Sequence, residues 1–232
     1  MRFQFLLLVA LLLSSIPAYA DFLTFRSSAE FVTATPGLPV ETFESALVPP
    51  LLPPNLAVVI HCDGPLSSAT ASACFPAGGL LPGVVYSASP VIGLTVVGPG
   101  LGNRLANSSL IMGSIMGDAT LNLVFTGVTA VGFELFPFPV VENAYEINFF
   151  SPSDVALGSF TISSLPGEFG YAYFGLLSTN DLIGRVSIHN QSTQFPWEFI
   201  DNMSFGIPTV PEPSSMLLLA AGLALVFRLR RA

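Results

Sequence analysis

Between positions 120 and 150 apolar and polar residues alternate almost one for one. Leu121, Leu123 and Phe125 are interleaved with Thr120, Asn122 and Val124; Val131, Phe133 and Leu135 with Gly132 and Glu134; Tyr145, Ile147 and Phe149 with Glu146 and Asn148. Successive side chains on a strand point to opposite faces, so each run predicts a strand with one buried face. Phe160 and Ile162, Val186 and Ile188, and the segment Phe199 to Phe205 continue the same period, each run bounded by Gly, Pro, Asn or Ser. Short strands separated by turns predict an all-β protein built as an antiparallel β-sandwich. No internal repeat and no second domain stand out.

Two stretches depart from this pattern. Ser27 to Val32 reads as a single helical turn, with Ser27 as N-cap and Glu30 completing a capping box, ended by Pro36 and Gly37. From Leu47 to Asn103 the alternation loosens, beginning with the Pro-rich run Val48 to Pro54. Two readings stay open: an insertion at about 47–103 presented at one edge of the sandwich, or a connector holding short strands such as Val58 to Ile60 and Leu94 to Val97. Gly98, Gly100 and Gly102 lack the helix that a phosphate-binding loop must open, so they are assigned to a turn.

The ends of the chain carry longer apolar runs. Arg2, the stretch Phe5 to Leu13 and Ala18-Tyr19-Ala20 form the charged, apolar and small-x-small parts of a signal peptide over residues 1–20, with Ala18 and Ala20 at the signal peptidase site. At the other end Pro211-Glu212-Pro213 precedes an apolar run from Met216 to Phe227, and Arg228, Arg230 and Arg231 follow. That run is short against the ~20 residues of a relaxed spanning helix. The arginines hold the C-terminus in the cytoplasm as a stop-transfer cluster, which leaves the Pro-Glu-Pro motif near the outer face of the membrane. The alternatives are a permanent N-terminal anchor and a plain C-terminal anchor.

The tail, residues 208–232, resembles the sorting signal of the PEP-CTERM proteins of Gram-negative bacteria: motif, transmembrane helix and Arg-rich end in that order. The resemblance implies recognition by an exosortase in the inner membrane, processing near the motif, and delivery to the cell surface or exopolysaccharide matrix. Diffuse similarity to the secreted domain of such proteins, assigned to residues 21–207, covers roughly 120 of its residues, through Phe31, Thr42-Phe43-Glu44, Val128 to Phe133, Phe174-Gly175, Ile183 to Val186, Ile200-Asp201-Asn202 and Phe205-Gly206. Jelly-roll carbohydrate-binding modules show a comparable Asp on their last strand, some with calcium beside it, so the sandwich is expected to be jelly-roll-like. Unlike them, this chain has no row of tryptophans, and Trp197 is expected in the core.

Composition narrows the partners. Of 15 acidic residues only Glu212 lies beyond Val210, and of the basic residues only Arg26, Arg104 and Arg185 lie between Asp21 and Val210. The resulting net charge of −11, without lysine, excludes nucleic acid and anionic lipid, because nothing neutralises phosphates. Divalent cations and neutral glycans remain compatible.

Cys62 and Cys74 are the only cysteines and, outside the cytoplasm, predict a disulfide. The alternative, zinc on these two thiols and His61, lacks a fourth ligand. Catalysis finds little support: no Gly-x-Ser-x-Gly elbow occurs, and His61 and His189 are the only histidines. The sharper constellation is ionic. Period-2 counting puts Asp201 on one face with Trp197, Phe199, Met203 and Phe205, where a carboxylate is costly unless paired or bound to metal. With Glu44, and Glu41 or a carbonyl, it is expected to hold a structural calcium where the first and last strands meet. The alternative is an Asp201 that accepts backbone hydrogen bonds. The Asn-x-Ser triplets at Asn107, Asn190 and Asn202 are read as chance.

The sequence thus predicts an exported, non-catalytic protein with a structural or adhesive role. A carbohydrate-binding module, with Tyr171 or Tyr173 as surface aromatics, and a secreted hydrolase using two carboxylates are the other readings.

Overall fold

A computed structural model of the protein describes residues 22–47, 58–90, 93–101, 105, 107–114, 119–136, 144–163, 171–191 and 197–209. The signal peptide with Ala18 and Ala20, Pro211-Glu212-Pro213, the apolar tail and Arg228, Arg230 and Arg231 lie outside these residues. Among the described residues no helix is long and apolar enough to cross a membrane.

Among the described residues fourteen strands form two antiparallel sheets. They are β1 (Phe22–Phe25), β2 (Val40–Glu41), β3 (Val59–His61), β4 (Leu66–Ser67), β5 (Val84–Ser89), β6 (Thr95–Val97), β7 (Ile111–Ser114), β8 (Thr120–Val128), β9 (Ala130–Phe136), β10 (Ala144–Phe150), β11 (Ala156–Ser163), β12 (Ala172–Ser178), β13 (Ile183–Asn190) and β14 (Glu198–Gly206). The first sheet runs β1-β12-β9-β14-β7-β6-β3, with β2 also paired to β14; the second runs β11-β10-β13-β8-β5-β4. The eight strands β7 to β14 occupy orders β12-β9-β14-β7 and β11-β10-β13-β8, crossing between the sheets at nearly every connection. That winding is the double Greek key of a jelly roll.

The alternating residues read from the sequence meet between the sheets. Val131, Phe133, Leu135, Phe174 and Met203 of one pack against Leu121, Leu123, Tyr145, Ile147 and Val186 of the other, all buried. Phe174 stacks on Phe149 across the gap, with ring centroids 5.7 Å apart. Cross-sheet aromatic contacts of this kind fix the face-to-face spacing as well as burying area.

The loosened stretch is built into the sheets. Within 58–101, β5 pairs along its whole length with β8, while β3 and β6 extend the first sheet beyond β7. The alternation Val84, Tyr86, Ala88 was present but masked by flanking Pro and Gly. Cys62 and Cys74 are bonded, Cα atoms 5.3 Å apart, which ties β3 to the segment before β5 and leaves no free thiol among the described residues. The turn at Pro99–Leu101 carries Gly100 at φ 72°, and the buried Asn107 fastens it: its Oδ1 accepts from Gly100 N–H, and its Nδ2 donates to the carbonyls of Gly98 and Ser109.

The one helix among the described residues, α1 (Ser28–Ala34), lies on the outer face of the first sheet. Ser27 is its N-cap, but the expected capping box does not form; the Ser27 side chain makes no cap hydrogen bond, and the Ser27 carbonyl accepts from Phe31 N–H. Phe31, fully buried, seats the helix. Gly132 and Gly175 are cross-strand partners on β9 and β12, and a Cβ at either would run into the Phe31 ring. Several residues that carried the sequence similarity therefore make one contact.

Candidate functional site

Asp201, Glu134 and Asn202 form the polar centre of the first sheet's outer face, and an irregularity in β14 creates it. Asp201 is opposite Glu134 on β9, but Ser204 is opposite Gly132, so Asn202 and Met203 together face one partner residue. Asn202 adopts φ 46°, a left-handed conformation that Asn tolerates better than most residues. The extra residue shifts the alternation by one. Before the bulge Ile200 points to the core and Phe199 outward; after it Met203 and Phe205 point to the core. Period-2 counting therefore misplaced Asp201: it shares a face with Trp197 and Phe199 but not with Met203 and Phe205. Trp197 itself is half-buried against the cluster of Phe199, Phe136 and Ile111.

Asp201 is fully buried. Ser109 Oγ donates to its Oδ2 in a very short hydrogen bond, and Asn202 N–H donates to its Oδ1 at 2.7 Å. Desolvation raises its pKa to about 6; these donors act against the rise, and the charges of Glu134 and Glu44 add to it. Two carboxylates directly opposite across a strand pair repel. Asn202 separates them, its Nδ2 donating to Glu134 Oε2 at 2.8 Å.

The other two expected calcium ligands are occupied differently. Glu41 is buried where β2 pairs with the far half of β14, its Oε1 accepting from Phe43 N–H at 2.9 Å and its Oε2 from Leu81 N–H at 2.6 Å. Glu44, exposed, accepts from Leu110 N–H at 2.8 Å. Glu44 and Asp201 are brought close enough to interact, whereas Glu41 is committed elsewhere. Among the described residues no group of three or more His, Cys, Asp or Glu gathers as a metal site. The segment instead works as a clasp: two carboxylates bind N–H groups from three separate places and hold Phe43, at φ 57°, against Phe75 and Tyr86.

Above Asp201 an open cavity of about 230 Å³ is lined by Ser108, Ser109, Glu134, Phe136, Tyr171 and Asn202. Tyr171 is half exposed and its ring centroid lies 5.6 Å from that of the buried Phe136. Tyr173, two residues on, is buried between Phe31 and Glu134, and desolvation followed by the Glu134 charge drives its pKa upward. Tyr171 and Tyr173 are two residues apart and share a face; what distinguishes them is cover, because Phe31 of α1 packs on Tyr173 while Tyr171 stays exposed beside the cavity. Glu134, Phe136 and the two serines were not singled out, although the outward positions 134 and 136 on one strand carried the signal.

A second carboxylate is hidden inside the sandwich. Glu198 points inward from the start of β14 with no exposed surface; its Oε1 accepts from Asn190 N–H at 2.9 Å, and its Oε2 has no hydrogen-bond partner among the described residues. Desolvation raises its pKa to about 9, so it is protonated at neutral pH. The histidines are engaged singly, His61 Nδ1 with Thr95 Oγ1 and His189 Nδ1 with the Ala119 carbonyl.

The described chain ends beside α1. β14 stops at Gly206, and the Thr209 hydroxyl donates to the Pro36 carbonyl at 3.4 Å. Residues 209–231 match the family model of the PEP-CTERM protein-sorting motif. The PEP-CTERM match covers the tail and not the sandwich, and it implies export and membrane-associated processing by an exosortase. No curated protein matches the chain. Among solved structures, the enzymatically active domain of tailspike protein 4 of bacteriophage CBA120 is similar at 13% identity and a TM-score of 0.32, over 53% of this chain and 19% of that one. A likeness of that size carries no argument about fold or activity.

Proposed function

We propose that the jelly roll is a non-catalytic structural or adhesive component of the cell surface or exopolysaccharide matrix, delivered there by exosortase processing of its tail. The observation that carries the reading is the sorting motif beginning at Thr209, three residues after the central strand β14 ends. Cleavage around Pro211 to Pro213 therefore leaves every described strand intact. The disulfide suits an oxidising compartment.

The test replaces Pro211, Glu212 and Pro213 with alanine together and fractionates the host. The native protein is expected in the surface or matrix fraction, and the triple variant in the inner membrane with its tail attached. An unchanged distribution would contradict the proposal. The carbohydrate-binding reading gains from the aromatic-walled cavity.

A further inference from the structure

We propose that the cavity between Tyr171 and Asn202 binds one pyranose unit of a neutral polysaccharide. The inference gives the matrix role a ligand and rests on that reading for its biological setting, although the chemistry stands on the cavity alone.

The walls differ in kind. On one side Tyr171 presents a half-exposed ring held by Phe136, an apolar plate of the sort against which the C–H face of a pyranose packs. On the other are Glu134, Asn202 and Ser108. Asn202 Nδ2 is spent on Glu134 Oε2, and Ser109 Oγ on Asp201. Glu134 Oε1, the Asn202 side-chain carbonyl and the Ser108 hydroxyl have no bond to another described residue. They are two acceptors and one donor-acceptor, complementary to ring hydroxyls, which donate and accept.

Size and charge narrow the class. A volume of about 230 Å³ is below the ~300–1,000 Å³ of sites for drug-sized ligands, and suits one ring rather than a chain lying flat. Among the described residues the lining holds a carboxylate and no cation, with Asp201 beneath it, an arrangement that disfavours a uronate or phosphorylated sugar. Arg185, a cation of the other sheet, is paired with Asp154. The site is also built rather than incidental: the bulge at Asn202 places its amide over Glu134, and Asp201 holds the Asn202 N–H and Ser109 that shape the floor.

The protein recovered from its own host is titrated calorimetrically with glucose, galactose, N-acetylglucosamine and their oligomers, and separately with glucuronic and galacturonic acids, each with and without EDTA. A neutral sugar is expected to bind and the uronic acids are not. Tyr171→Ala should weaken binding about tenfold or more, Tyr171→Phe should retain it, and Glu134→Gln should weaken it, with melting temperatures confirming that each variant is folded. No binding of any neutral sugar, equal binding of a uronic acid, indifference to Tyr171→Ala, or loss of binding in EDTA would each overturn the proposal. The last result would make the cavity a cation site. Failure here leaves the location of the triple-alanine variant untouched, so the two readings fail separately.

Discussion

Glu198 places an acid in the interior of the sandwich, where burial disfavours its charged form, and the consequence is readable in pH. Its pKa of about 9 stands above the ordinary 4.5, so between those values the folded protein holds a proton that the unfolded chain has lost. Stability therefore falls as pH rises through that window, by up to about 1.4 kcal/mol per pH unit for one group. Asp201, raised to about 6, adds a shorter fall at the acid end. Melting temperature is expected to be higher at pH 5 than at pH 8, and Glu198→Gln should flatten the decline above pH 6. A native profile that is flat or rises across this range would contradict the buried, protonated state. Glu41 makes the opposite case, an acid whose two oxygens are both used. Glu41→Ala strands two backbone N–H groups and should cost about 1–3 kcal/mol in chemical denaturation. Chelators should leave the melting temperature unchanged, because donors of the protein engage both oxygens of Glu41 and of Asp201. Legibility at this scale was uneven. That Asp201 and Glu41 mattered could be read from acids among aromatics, but the donors that satisfy them, Ser109, Leu81 N–H and Asn202 N–H, come from positions no local pattern connects.

At the scale of elements, the alternation was most legible in β8 and β10, whose inward positions are buried while most outward ones stay partly exposed, and period 2 is its direct imprint; β9 is buried on both faces except at Glu134. β14 broke the rule. One extra residue reversed the faces of its second half, and only the left-handed Asn202 marks the place. Asn202→Gly keeps that backbone available while Asn202→Ala does not, so the alanine variant should be the less stable of the two by about 1 kcal/mol or more. α1 was visible as a helical turn, but what anchors it is a dent in the outer face of the first sheet made by Gly132 and Gly175. Phe31→Ala should cost about 3–5 kcal/mol, and Gly175→Ala should also destabilise by forcing the ring outward. Thermal denaturation of both variants checks the seat; a wild-type Tm in either would remove it.

For the whole molecule, two kinds of information lie in separate parts of the chain. The jelly roll depends on pairings between distant segments, β7 with β14 and β8 with β13, and β5 was lost to sequence reading because its neighbours are rich in Pro and Gly. The disulfide between Cys62 and Cys74 needed no such geometry, since an exported chain with two cysteines leaves few choices. Closing a loop of this length contributes ~3 kcal/mol in the chain-entropy model, so reduction should lower the melting temperature measurably. The tail was the most legible part because a sorting signal is read as linear sequence by another protein. It follows β14 after three residues, so sandwich and signal can be separated without disturbing the fold. The intact mass of the protein recovered from the surface or medium of its host tests this division most directly. A mass running from Asp21 to the neighbourhood of Pro213, with or without an added group, is the predicted result. A mass that retains Met216 to Ala232 would contradict it and make the tail an ordinary membrane anchor.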